Sequence, residues 1–172
     1  MRILKKKLLP IFFIFFVNNL YADNPYFIDF SKVLNQSQAG ATAQEQLKKK
    51  FDSESKKFNK EEEAIKKKEV DLISQKKVLS NEDYQTKLES LRKEVALLQQ
   101  AKQDSLNSIA QSRALAKQKL IEAINPIIKK YMEENNIRLI IDKQSVVLGD
   151  TTLEITNKII ELLNQNLKSI KF

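Results

Sequence analysis

Phe51, Phe58, Ile65, Leu72 and Leu79 fall seven residues apart in a stretch otherwise dominated by Lys, Glu, Gln and Ser. A seven-residue apolar step returns to one face of an α-helix after two turns, whereas a strand would throw successive members onto opposite faces. Leu47 lies one turn ahead of the series. After Leu79 comes Ser80-Asn81-Glu82-Asp83, a good helix N-cap with an acid at the capping-box position. Beyond it, Tyr84, Leu88, Leu91, Val95 and Leu98 step by four and three, and Ile109, Ala116, Leu120 and Ala123 continue the register. The pattern predicts an antiparallel coiled-coil hairpin over 45–123, its tip near 79–83 and its reach about 60 Å at 1.5 Å per residue. Folding back at Asn81 sets residues whose numbers sum to about 162 opposite one another. Leu79 should then meet Tyr84, Leu72 should meet Leu88 and Leu91, and Ile65 should meet Val95 and Leu98. Phe51 and Phe58 face small residues: Ser105, Ser108, Ala110 and Ser112. A single continuous rod is the competing layout; the capping residues favour the hairpin. The seam is thin, with Glu54, Glu61 and Lys68 in its facing slots, so the arm should bend or splay beyond its root.

The flanks, 23–44 and 124–172, read as a β-rich body, giving an α+β fold class. Pro25–Phe30 is aromatic and β-prone. Asn125-Pro126 reads as an N-cap and first residue of a new short helix, with Ile127, Ile128, Tyr131 and Met132 as its buried face and Asn135-Asn136 as its end. Ile137–Asp142 and Ser145–Leu148 read as two strands joined by Lys143-Gln144. Gly149-Asp150 turns the chain, and Thr152 or Thr156 caps a last helix whose apolar stripe is Ile159, Leu162, Leu163, Leu167 and Ile170. Three short strands with two apolar faces and two open edges cannot be covered by one chain. The body is therefore expected to be a β-structure shared between copies, closed symmetrically, with Tyr26, Ile28, Phe30, Leu139, Ile141 and Val147 as its oligomerisation residues. The number of copies does not follow from this reasoning.

Residues 1–22 are expected to be a cleaved signal peptide: four basic residues, the apolar run Leu8–Val17, then a short exit to Ala22. Of 30 basic and 22 acidic residues the leader holds four basic and no acidic ones, leaving 26 against 22, a mature net charge of +4. That balance suits acidic partners or a membrane surface, and nucleic acid is not expected as a partner. The chain has no Cys and no His. Disulfides, a thiol nucleophile, the common zinc sites and Ser-His or Cys-His catalysis are thereby excluded. With two glycines there is no Gly-rich phosphate loop. Neither an enzymatic role nor a cofactor is expected.

Phe27-Ile28-Asp29-Phe30, Lys32-Val33-Leu34 and Ser37-x-Ala39-Gly40 resemble the opening of the periplasmic Skp/OmpH chaperones. Leu139–Lys143, Val147-Leu148, Glu154-Ile155-Thr156 and Ile159-Ile160 resemble its closing motifs. Glu154 stands where the family usually has Asp, and Leu148-Gly149 replaces an expected aromatic. The resemblance spans essentially the whole mature chain. It implies a homotrimer with a β-barrel body assembled from three chains, from which three helical hairpins enclose a cavity. It also implies a periplasmic, ATP-independent holdase that keeps unfolded outer-membrane β-barrel proteins soluble. A non-catalytic spacer or scaffold of the cell envelope is the alternative. Within the arm, Phe51, Phe58, Ile65, Leu72, Leu79, Leu88, Leu91, Val95 and Leu98 are the expected seam. Phe51 and Phe58 are also open to a client-gripping role, as is Tyr84 at the tip. Lys66, Lys67, Lys76 and Lys77 are candidates for client or lipid contact, although their interleaving with Glu61–Glu63 and Glu69 suits a solvated helix face better.

Overall fold

The structure, a computed structural model, describes residues 24–172; the expected leader lies outside them. Strand β1 (Tyr26–Ile28) leads into helix α1 (Phe30–Gln36), followed by the long helices α2 (Gln38–Gln75) and α3 (Asn81–Glu134), strand β2 (Ile140–Asp142) and helix α4 (Thr156–Asn166). The molecule is mostly helical, with two long helices and one small strand pair.

β1 pairs with β2 in parallel, Tyr26 opposite Ile140 and Ile28 opposite Asp142. Parallel neighbours require a crossover connection, and here the crossover is the entire α1–α2–α3 segment. On its other side β1 is bridged to Glu154, with the Ile155 amide donating to the Phe27 carbonyl at 3.0 Å. The expected hairpin of two adjacent strands is corrected: Lys143–Ser145 forms a 3-10 turn, and Val147 and Leu148 are fully exposed and lie in no strand. The Asp142 carboxylate accepts from the Gln144 amide at 2.9 Å and closes that turn. The Val146 amide also donates to the Lys143 carbonyl at 3.0 Å, so the turn takes up backbone groups that a hairpin ladder would need.

Asp29 ends β1 and caps α1, its carboxylate accepting from the Lys32 amide at 2.8 Å; Phe30, expected at the strand's end, already lies in the helix. Ser37 separates α1 from α2 and caps the latter, accepting from the Gly40 amide at 3.2 Å. The corner is tight enough that a Cβ at Gly40 would sit 1.8 Å from the Leu34 carbonyl oxygen. Glycine is required there by close approach.

α2 ends at the tip and Ser80 caps α3, accepting from the Asp83 amide at 3.0 Å and donating to its carboxylate at 2.6 Å. α3 then runs through Pro126 without a break, correcting the expected new helix. Pro126 is exposed, so water can reach the Glu122 carbonyl that proline leaves without its helical donor. Ile124 is fully buried, and Ile127, Ile128 and Tyr131 pack against the same core, holding both sides of the proline in one helix. Asn135 and Asn136 do end it: Asn136 has φ 54°, and the Ile137 amide returns to the Met132 carbonyl at 2.9 Å.

The core joins both ends of the chain. Ile28, Val33 and Ala39 pack with Leu120 and Ile124 of α3 and with Ile155, Ile159 and Leu163 around α4. Ile155 occupies the N-cap position of α4 and no side chain caps it, which corrects the expected threonine cap. The buried Thr156 hydroxyl instead accepts from the Asp29 amide at 2.9 Å and donates to Glu154 at 2.8 Å. Loss of a self-cap leaves a clasp between the first and last elements of the body.

Candidate functional site

Two features stand out from the body: the arm formed by α2 and α3, and a groove at its root. α2 has 38 residues and α3 has 54, lengths of about 57 and 81 Å at 1.5 Å per residue. Their pairing follows the fold-back at Asn81. Lys68 meets Glu94 at 2.7 Å, Lys87 meets Gln75 at 3.0 Å, Lys50 meets Ser112 at 3.3 Å, and Lys102 pairs with Glu62; the numbers in each pair sum to about 162. Phe58, Leu72, Leu91 and Leu98 are buried between the helices, and Ile65, Leu79, Tyr84 and Leu88 are half-buried. Two expected seam residues are exposed: Phe51 at 47% and Val95 at 40%. The small residues facing Phe51 are too short to cover its ring, and Ser108 and Ser112 bond Lys50 instead.

Toward the tip, Lys76 lies 5.9 Å from the Tyr84 ring centroid, a geometry in which the ring face attracts the ammonium. Lys66, Lys67 and Lys77 are exposed, as are the apolar Val70 and Ile73 at the distal end of α2 and Val78 in the tip turn that follows it.

The groove has a volume of about 940 Å³ and lies where α1, α2 and α3 converge. Leu47, Phe51, Ile109 and Leu120 supply an apolar lining, while Lys48, Arg113 and Lys117 stand at it as cations. None of the ion pairs among the described residues uses those three. The one acid lining it, Glu45, is held by Lys49 at 2.7 Å, and the hydrogen bond from Lys49 keeps its carboxyl below the ordinary glutamate range. Reading the seam alone misses this groove. Its sequence signal is the like charge of Lys48 and Arg113, which the same register sets opposite one another.

In the body, Ile28 is buried, Tyr26, Phe30 and Ile141 are half-buried, and Leu139 and Val147 are exposed. The Glu154 carboxylate bonds Lys143 at 2.8 Å and Thr156, and these hydrogen bonds, Lys143 first, hold its pKa below the ordinary value. Among the described residues no helix is long and apolar enough to cross a membrane.

This arrangement, in which a two-helix arm interrupts a parallel strand pair, matches a known family: the model for outer membrane protein (OmpH-like) aligns with residues 26–163. The chain belongs to the OmpH-like family. The crystal structure of a candidate OmpH-like outer membrane chaperone from Caulobacter crescentus CB15 superposes with a TM-score of 0.81 at 15% identity. The match covers 87% of this OmpH-like chain and 89% of the Caulobacter one. At that identity the likeness is one of fold. No curated protein matches the chain with significance.

Proposed function

We propose that this OmpH-like protein is an ATP-independent, non-catalytic holdase of the periplasm that binds unfolded outer-membrane β-barrel proteins and prevents their aggregation. The observation that carries the reading is the arm: two helices of 38 and 54 residues joined by a sparse seam. Such an arm offers a long surface of weak, adaptable contacts and no enclosed catalytic cleft. A holdase needs that combination, because it acts by binding the unfolded state and lowering its free concentration. Family membership and a neighbour described as a chaperone support the same reading.

The working unit is proposed to be a homotrimer whose β-barrel body is shared between chains. The support is local. Within one chain the strand pair leaves the outer edge of β2 open; Leu139, immediately before β2, is exposed, as are Val147 and Leu148 in the segment that follows it. Three such arms around one body would enclose a cavity, and the distal lysines, Lys66, Lys67, Lys76 and Lys77, would meet acidic clients or a lipid surface.

The test is the solution mass of the purified protein with and without a urea-unfolded outer-membrane protein, read beside light scattering of the client on dilution. The expected result is a trimer that takes up one client chain and suppresses its aggregation at near-stoichiometric trimer. A well-folded trimer that leaves the scattering unchanged removes the holdase reading. Retention of a fixed folded partner together with indifference to unfolded chains would favour an envelope spacer.

A further inference from the structure

The two edges of the arm are chemically unlike. Residues one before a seam position, such as Lys50, Glu94 and Ser108, line one edge, where Lys50–Ser108 at 3.1 Å and Lys68–Glu94 close the cross-arm ladder. Residues four beyond a seam position, such as Lys48, Leu106 and Arg113, line the other. On that second edge Phe51, Leu106 and Val95 are exposed, and the fold-back register sets Lys48 opposite Arg113, both of them lining the groove. A coiled coil built only for stability places opposite charges in such positions. Here two like charges occupy them beside an apolar floor.

We infer that the root groove, continued along this edge of the arm, captures an extended segment of an unfolded client in which apolar side chains stand beside carboxylates. The inference rests on the holdase reading and assigns it a place. The carboxylates neutralise Lys48, Arg113 and Lys117, and the apolar side chains cover Phe51, Leu47 and Ile109. An extended chain suits the site better than a compact ligand because the exposed apolar residues recur along the arm. Leu106 and Val95 are eleven residues apart on α3, about 16 Å at 1.5 Å per residue. An extended chain spans that in about five residues.

The experiment uses the purified protein and a fluorescently labelled short peptide alternating Leu with Asp, beside a counterpart with Lys for Asp. The acidic peptide should bind and the basic one should not. Arg113→Glu with Lys117→Glu should weaken binding roughly tenfold or more at low salt, the effect shrinking as salt rises. Phe51→Ala should weaken it severalfold through lost apolar contact. A control with the same change in charge outside the groove, Lys56→Glu with Lys60→Glu on α2, should leave it nearly unaltered.

Equal loss in the control, unchanged affinity in the groove variants, or failure of the acidic peptide to bind would overturn the inference. So would an altered oligomer mass in the groove variants, which would mean that a second copy occupies the groove, or complete displacement of the acidic peptide by anionic phospholipid vesicles but not by unfolded client. The holdase reading fails separately: it falls if the unmodified protein does not suppress client aggregation, whereas suppression with unchanged groove variants overturns the groove alone.

Discussion

Single residues in the body act as joints. Gly40 admits the α1–α2 corner because a side chain there would strike the Leu34 carbonyl. Gly40→Ala is expected to cost roughly 1–3 kcal/mol or more through backbone displacement, seen as a lowered urea midpoint with unchanged slope. Thr156 accepts from the Asp29 amide in a fully buried setting. Thr156→Val keeps the shape but orphans that donor, with an expected loss of about 1–3 kcal/mol, measurable in the same denaturation. Glu154 titrates low in the folded state because Lys143 and Thr156 donate to its carboxylate. A depressed carboxyl pKa stabilises the fold above the unfolded-state value, about 4.3, and that contribution disappears as pH falls through the lower folded-state value. Melting temperature should therefore drop on acidification below about pH 4.3, and Glu154→Gln should flatten that part of the profile while lowering stability near neutrality.

At the scale of elements, α3 is the informative case. Its local sequence, Asn125-Pro126, favours a new start, yet the helix continues because packing on both sides outweighs the lost hydrogen bond. An interior proline costs up to about 3 kcal/mol, much of it relieved here by solvent at the exposed position. Pro126→Ala should raise the melting temperature, with no change in helix length by hydrogen exchange across 120–134. A fall in stability would show that residue 126 begins a separate helix in solution. The arm differs from the body in density. Only scattered seam residues are buried along it, so its amides should exchange faster than those around Ile124 and Ile159, which are fully buried.

For the whole molecule, Leu139, Val147 and Leu148 are exposed, and exposed apolar side chains together with an open strand edge invite association, which is the ground for the proposed contact between copies. Val147→Asp with Leu148→Asp should lower the solution mass toward a single chain at micromolar protein, with the helical circular dichroism of the arm preserved. Unchanged mass would remove Val147 and Leu148 from the proposed contact between copies.

The arm was legible from the chain alone, because a seven-residue apolar step, a serine cap at Ser80 and a fold-back register are all local properties of one sequence segment. The helix end at Asn135-Asn136 was readable for the same reason: asparagine tolerates the left-handed backbone found there. Other features depended on which partners the fold supplies. Whether residues 145–148 extend the sheet or close a turn depends on which partner their backbone groups meet, and the Val146 amide meets the Lys143 carbonyl. Whether Thr156 caps its own helix or the amide of Asp29 turns on which donor the fold brings near. Pro126 sits inside a helix because Val33, Ile159 and Leu163 share the core that its flanking residues enter. Periodicity determined the prong; long-range packing decided the body, the exposure of Phe51 and the groove, since burial and pairing are settled only when both sides of a contact are in place.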